Sequence, residues 1–294
     1  MRIHRANTIG LGLLILFASA DKASAWDDLG HTVVCAIAFQ ELNDKTRQEV
    51  TRLIGMDDQF KTFAESCTWP DNPKQRSNEH YINVARDFAT FSTPTCPMAS
   101  KCLFTAIDED VRVLSTATDD RAKLAALKFL GHWIGDLHQP LHVSFEDDRG
   151  GGKVLTSGSC GVTLHAVWDD CIVAMKLGSD WRSVARDLSK DITPRDRAAW
   201  TATKVEAWVN ESFDTARQAQ VRYCIREGNG CIYEPGHPTY NAGATEKVVV
   251  VDNAYLERNA SIVAGRLRQA GVRLAHLLNR SLGKQEPDAG PSRG

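Results

Sequence analysis

Three imidazoles and a carboxylate crowd the eleven residues from His132 to His142, HWIGDLHQPLH, a pattern that core packing alone does not require. The apolar run from Ala122 to Leu137 predicts a helix. On it His132 and Asp136, four apart, leave one face about a turn from each other. Pro140 ends that helix, and His142 can swing back toward the same point from the chain beyond it. The segment LHAVWDD repeats the device, with His165 and Asp169 again four apart. Two such pairs point to one shared metal centre.

Helical periodicity dominates the rest of the chain, with little sign of alternating strands. Helices are expected around His31–Leu42, Asp44–Ile54, Ala106–Thr116, Arg121–Gln139, Leu164–Lys176, Ser179–Leu188, Pro194–Arg226 with breaks, and Glu246–Asn279. The stretch from Arg149 to Gly152, with Ser157-Gly158-Ser159, frames either a short hairpin or an irregular loop. Glu227–Ala244, rich in Gly and Pro, reads as a long loop. No repeat and no linker divides the chain. The fold class expected is therefore all-α, a single mainly helical domain.

The N-terminus carries basic Arg2, His4 and Arg5, an apolar run from Ile9 to Ala20, and an Ala23-Ser24-Ala25 cleavage motif. This predicts a signal peptide over 1–25, a mature domain over 26–282 starting at Trp26, and a disordered tail over 283–294. The apolar run falls short of the ~20 residues a spanning helix needs, so no membrane insertion is expected after cleavage. Export, to the medium or to a periplasm, agrees with eight cysteines that all follow the cleavage point. Close spacing suggests Cys96 with Cys102, Cys160 with Cys171 and Cys224 with Cys231, leaving Cys35 and Cys67; sequence alone leaves the connectivity open. Asn210, Asn259 and Asn279 begin sequons that matter only in a eukaryotic host.

Removing Arg2, Arg5, Lys22 and Asp21 takes 35 basic and 37 acidic residues to 32 and 36, a formal net charge of −4. Such a chain does not hold nucleic acid by overall charge, so any attraction for phosphate is local. Bound divalent metals would supply it. Imidazole with carboxylate and no C-x-x-C thiolate knuckle is typical of catalytic zinc. One ion seldom takes more than three or four protein ligands, so five imidazoles with Asp71, Asp136 and Asp169 point to more than one ion.

Trp26, His31, Trp69-Pro70-Asp71, His80-Tyr81-Ile82-Asn83, the His132–His142 block and His165-x-x-x-Asp169, in this order, resemble a known family. It is that of the zinc-dependent single-strand-specific nucleases and 3'-nucleotidases of the S1/P1 type, similar in fold to zinc-dependent phospholipase C. The resemblance implies a helical domain around a trinuclear zinc cleft. It implies one zinc on Asp71, His80, His132 and Asp136, and another on His142, His165 and Asp169. The third would sit on His31, a bridging Asp136, and Trp26 through its free amine and own carbonyl oxygen. It further implies catalytic roles for Asp71 and Lys74, the lysine standing where relatives often carry an arginine that contacts phosphate. Tyr81 would stack a base, and Asn83 replaces an aspartate familiar at the base-contacting position. Gly152 stands where many relatives show Asn after paired glycines.

The activity implied is hydrolysis of single-stranded DNA and RNA to 5'-phosphorylated products, with nucleotides as further substrates and no stable protein partner. A zinc-dependent phospholipase C is the nearest alternative, and a non-catalytic exported metal-binding protein is an alternative of another class. His138 is expected to make a hydrogen bond behind the site or to face solvent. Trp133 and Trp168 are expected to pack between helices, and His237 and His276 to be structural or exposed.

Overall fold

The computed structural model describes residues 26–244 and 246–283; the predicted signal peptide and most of the predicted tail lie outside the described residues. Helices α1 (Asp28–Glu41) and α2 (Asp44–Ile54) begin on side-chain caps, Asp27 accepting from Asp28 N–H and Asn43 from Thr46 N–H. After the short α3 (Phe63–Ser66) and strand β1 (Ile82–Val84) come α4 (Leu103–Thr116) and α5 (Asp120–His138). Strands β2 (Val143–Phe145) and β3 (Leu155–Gly158) precede α6 (Leu164–Ala166) and α7 (Ile172–Lys176), which flank a π turn at Val167–Cys171. Then follow α8 (Trp181–Lys190), α9 (Pro194–Thr201), α10 (Val205–Ala216), β4 (Ile225–Glu227), β5 (Gly230–Ile232), β6 (Val248–Val251) and α11 (Asn253–Leu282).

The mainly helical reading holds. Helix α1 is buried without interruption from Gly30 to Ala38, so it is a core element rather than an amphipathic surface one. It packs against α5 and the 30-residue α11. Close approach of α1 and α5 depends on two glycines of α5. A Cβ added at Gly131 would stand 2.8 Å from Cys35 Sγ, and one at Gly135 would stand 2.7 Å from His31 Nδ1.

Four disulfides join Cys35–Cys67, Cys96–Cys102, Cys160–Cys171 and Cys224–Cys231, the pairs suggested by spacing. Cys35–Cys67 staples α1 to the segment that runs into Trp69-Pro70-Asp71.

Three expectations are corrected. The helix expected over Leu164–Lys176 is opened by the π turn, where the backbone bonds five residues apart. The helix expected over Pro194–Arg226 is two helices ending at Ala216. The start of the helix expected from Glu246 is instead β6. Its four valines alternate exposed and buried, and β-branched side chains favour an extended run. It pairs in parallel with β3, so the glycine-flanked Leu155–Gly158 stretch finds its partner across the chain rather than in a local hairpin.

His138 is buried, not solvent-facing. Its Nδ1 donates to Ile134 O at 2.8 Å, and its Nε2 accepts from Arg273 Nη1 at 3.0 Å. Arg273 also grips Glu211 at 2.6 and 2.7 Å, and Arg266 reaches the same carboxylate at 2.9 Å. This network, buried at both arginines and partly exposed at Glu211, joins α5, α10 and α11 behind the imidazole block. All three sequon asparagines are also engaged: the Asn259 amide donates to Tyr255 O at 2.9 Å, that of Asn210 to Phe91 O at 2.8 Å, and Asn279 Oδ1 accepts from Asn43 N–H at 3.1 Å.

Candidate metal centre and substrate cleft

Local structure brings the scattered imidazoles to one place. On α5, His132 Nε2 and Asp136 Oδ2 lie 3.4 Å apart, as the four-residue spacing predicts. Pro140 ends α5 and the chain turns through a 3-10 turn, Pro140–His142. Parallel pairing of β1 with β2, Ile82 opposite Val143, then sets His80 beside His142, whose Nδ1 donates to His80 O at 2.6 Å. His80 Nδ1 stands 3.2 Å from Asp136 Oδ2 and 3.6 Å from Asp71 Oδ1. From α1, His31 Nε2 reaches within 3.3 Å of Asp136 Oδ1. His165 Nε2 and Asp169 Oδ2 are 3.4 Å apart, and His142 Nε2 lies 3.7 Å from Asp169 Oδ1. Eight of the nine ligands expected from the sequence thus converge side chain to side chain. The ninth, Trp26, is fully buried beside them, its ring under Gly30 and Gly135.

The hydrogen bonds dictate which nitrogen of each ring faces inward. A carbonyl oxygen only accepts, so a ring nitrogen bonded to one carries the proton. His132 Nδ1 donates to Cys67 O at 2.8 Å, His165 Nδ1 to Gly150 O at 2.7 Å and His80 Nε2 to Gln75 O at 2.8 Å, in addition to His142 Nδ1. In the neutral rings the opposite nitrogens then present lone pairs to the centre. Burial pushes His132 down to about 3, so that ring is neutral at ordinary pH. Burial works against the charge on Asp136, yet His132, His142 and the further imidazoles around it outweigh that cost and hold it well below the usual carboxylate range. His132 Nε2 and His80 Nδ1 face each other at 3.1 Å, each on a ring whose other nitrogen is spent on a backbone carbonyl. Both oxygens of Asp136 and Nε2 of His142 are buried and without hydrogen bonds. Such an array of inward lone pairs and one anionic hub is what divalent cations fit. Three groups are close enough to share an ion: His31, Asp71 and His132; His80, His132 and Asp136; His142, His165 and Asp169.

The cluster floors a cleft of about 610 Å³, lined by Lys74, Tyr81, Asn83, Arg149, Lys153 and the Cys96–Cys102 loop among others. Lys74 Nζ stands 3.6 Å from Asp71 Oδ1, at the mouth of the cluster. Tyr81 is exposed, its ring available to a ligand, and Asn83 Oδ1 is buried without a hydrogen bond. Trp133 walls the cluster, its ring edge-on to His80 at 4.8 Å and its Nε1 donating to Asp110 at 2.8 Å. Trp168 packs between helices and donates to Tyr255 Oη at 2.9 Å.

Two supporting residues carry no signal in the motif spacing. Gln139, fully buried, donates from its amide to Asp169 and accepts from Leu141 N–H at 2.5 Å, so it clamps the 3-10 turn to the second carboxylate. Asp148 accepts from Gly151 N at 2.9 Å, Tyr223 Oη at 2.5 Å and Arg86 Nη2 at 2.6 Å. It thereby fixes the turn whose Gly150 carbonyl orients His165. The one clue to it in the sequence is Gly150-Gly151, both at positive φ, where a residue with a side chain is strained.

Comparisons with known proteins agree with this construction. Endonuclease 3 of Arabidopsis thaliana is 28% identical, over 92% of this chain and 93% of its own length. Endonuclease 2 of the same plant is 27% identical over 91% and 94%. Nuclease S1 of Aspergillus oryzae is 28% identical over 66% and 70%. Residues 26–283, which contain every side chain of the cluster and cleft, match the S1/P1 Nuclease family. A metal-dependent site fits the inward-facing lone pairs, and the chain belongs to the S1/P1 nuclease family, hydrolases of the nucleic-acid phosphodiester bond.

Proposed function

We propose that this nuclease is exported, holds three zinc ions and cuts single-stranded DNA and RNA to 5'-phosphorylated products, with 3'-nucleotidase activity besides. The observation that carries the metal reading is the pair of lone-pair nitrogens of His132 and His80, 3.1 Å apart, with the bare carboxylate of Asp136 beside them. Asp71, His80, His132 and Asp136 would hold one ion, and His142, His165 and Asp169 a second. His31, Asp136 and the amine and carbonyl oxygen of Trp26 would hold a third. Clustered zinc supplies Lewis acidity and lowers the pKa of water toward neutrality, so no protein nucleophile is needed.

The chain's own residues bind and orient. Lys74 places a positive charge at the mouth of the cluster, where charge builds on the phosphate in the transition state; it lacks the bidentate fork of arginine. Asp71, 3.6 Å from it, positions that ammonium. Tyr81 offers an exposed ring for stacking, which tolerates any base and selects strands whose bases are unpaired. Asn83 offers an amide, able both to donate to a base edge and to accept from it. The names of the fungal and plant relatives support nucleic acid rather than lipid as substrate.

The test assays the processed protein on single-stranded DNA, RNA, duplex DNA and phosphatidylcholine, with and without chelator, alongside metal analysis. Chelator-sensitive cutting of single strands with about three zincs per chain is the expected result. Equal rates on duplex DNA would remove the strand specificity, and phosphatidylcholine hydrolysis without nuclease activity would favour a phospholipase.

A further inference from the structure

The whole chain is mildly acidic, yet the cleft wall gathers Lys74, Lys101, Arg149 and Lys153 against a single carboxylate, Glu146. Two of these cations are already engaged by acids. Lys74 is 3.6 Å from Asp71, and Lys101 is 3.5 Å from Glu79. Among the described residues Arg149 and Lys153 make no ion pair. Lys153 Nζ donates to the neutral Asp147 carbonyl at 2.8 Å and stands 4.7 Å from the centre of the Tyr240 ring. It is held in place with its charge uncompensated.

Arg149 is exposed and sits at φ +56°, in the left-handed region where a side chain is disfavoured and glycine is usual. The surrounding turn over-determines that conformation. Arg149 N bonds Glu146 O at 3.0 Å, its own carbonyl accepts from Gly152 N at 3.0 Å, and Asp148 accepts from Gly151 N. Strain of this kind, kept at the edge of a site, is a mark of a side chain held for use. The next residue, Gly150, orients His165 through its carbonyl, so the backbone that carries Arg149 is anchored beside a residue that touches the cluster.

We propose that Arg149 and Lys153 form a second phosphate subsite, which takes the phosphodiester next to the one being cut. The proposal rests on the reading of the imidazole and carboxylate cluster as the cutting site. A guanidinium suits this task because its fork matches two phosphate oxygens, and a fixed ammonium four residues on widens the same positive wall. The ligand class is thus a polynucleotide strand with at least two linkages, rather than a mononucleotide.

The test compares a dinucleoside monophosphate, which has only the linkage to be cut, with a short single-stranded oligonucleotide. Arg149→Gly removes the charge while relaxing the left-handed turn, and Lys153→Gln removes the second charge. The double variant is expected to lose about tenfold more kcat/KM on the oligonucleotide than on the dinucleoside. The dependence of log KM for the oligonucleotide on log salt should flatten by about 0.7 for each phosphate that is no longer neutralised. Arg149→Lys, which keeps the charge but not the fork, should lose less than Arg149→Gly, and unchanged metal content should show that the centre is intact. Equal losses on both substrates, or none on either, would overturn the subsite. A wild-type protein that cuts neither substrate would overturn the reading of the cluster beneath it.

Discussion

The amide of Asp27 donates to the carbonyl of Asp169 at 3.1 Å, so the chain beside Trp26 is stitched to the backbone of a carboxylate residue in the cluster. A five-membered chelate through an α-amine and its own carbonyl forms only if no residue precedes Trp26. A processed protein made with one extra residue before Trp26 is expected to bind about one zinc fewer and to lose most of its rate. Trp26→Phe, which keeps the backbone atoms, should retain the metal better. Metal analysis of the two proteins decides, and an extended protein with full zinc and full rate would refute the amine ligand.

Asp136 is approached by His31, His80 and His132 within 3.4 Å. Asp136→Asn is therefore expected to be the most damaging single carboxylate change, at least about a hundredfold in kcat with metal content reduced. A variant that keeps both zinc and rate would show that Asp136 does not bridge.

Gln139 touches no metal position yet holds Asp169 and the turn before His142. Gln139→Leu should weaken zinc retention about 10- to 100-fold, measured by competition with a chelator, while the fold persists. Unaltered retention would make the clamp ornamental.

Tyr81→Ala should weaken binding of single strands by about 1–3 kcal/mol and leave the zinc in place. Fluorescence titration with an uncleaved strand analogue measures it. A loss equal on duplex and single strand would argue against stacking on an unpaired base.

His138 carries a pH prediction. Burial first, then Arg266 and Arg273, hold its folded pKa well below 6.5, so the unfolded chain binds the extra proton and the native chain does not. Stability from this group is complete above pH 6.5 and is lost as pH falls below it, by about 1.4 kcal/mol per pH unit. Thermal melts of the metal-free protein between pH 7 and about 5 should therefore fall more steeply for the wild type than for His138→Gln. Parallel curves would show that another group dominates.

Spacing made part of this architecture legible. The i and i+4 pairs, the proline after α5 and the cysteine spacings each encode a local geometry, and the structure realises all of them. Pairings across the chain were not legible, because nothing near Ile82 names Val143 as its neighbour and nothing near Leu155 names Val248. Gln139 was hidden for another reason: a glutamine before a proline reads as the end of a helix, and its clamp exists only once α5 and the π turn have met. The uncompensated charge of Arg149 was likewise invisible, since only the folded turn shows which acids are spoken for elsewhere.

The staple between Cys35 and Cys67 ties the helix bearing His31 to the strand of chain leading to Asp71, closing a loop of 32 residues. With that bond reduced, only the packing of α1 against α3 would keep the two segments, and with them two cluster residues, in register. The two cysteines thereby link how firmly the cluster is held to the thiol–disulfide poise of the surroundings.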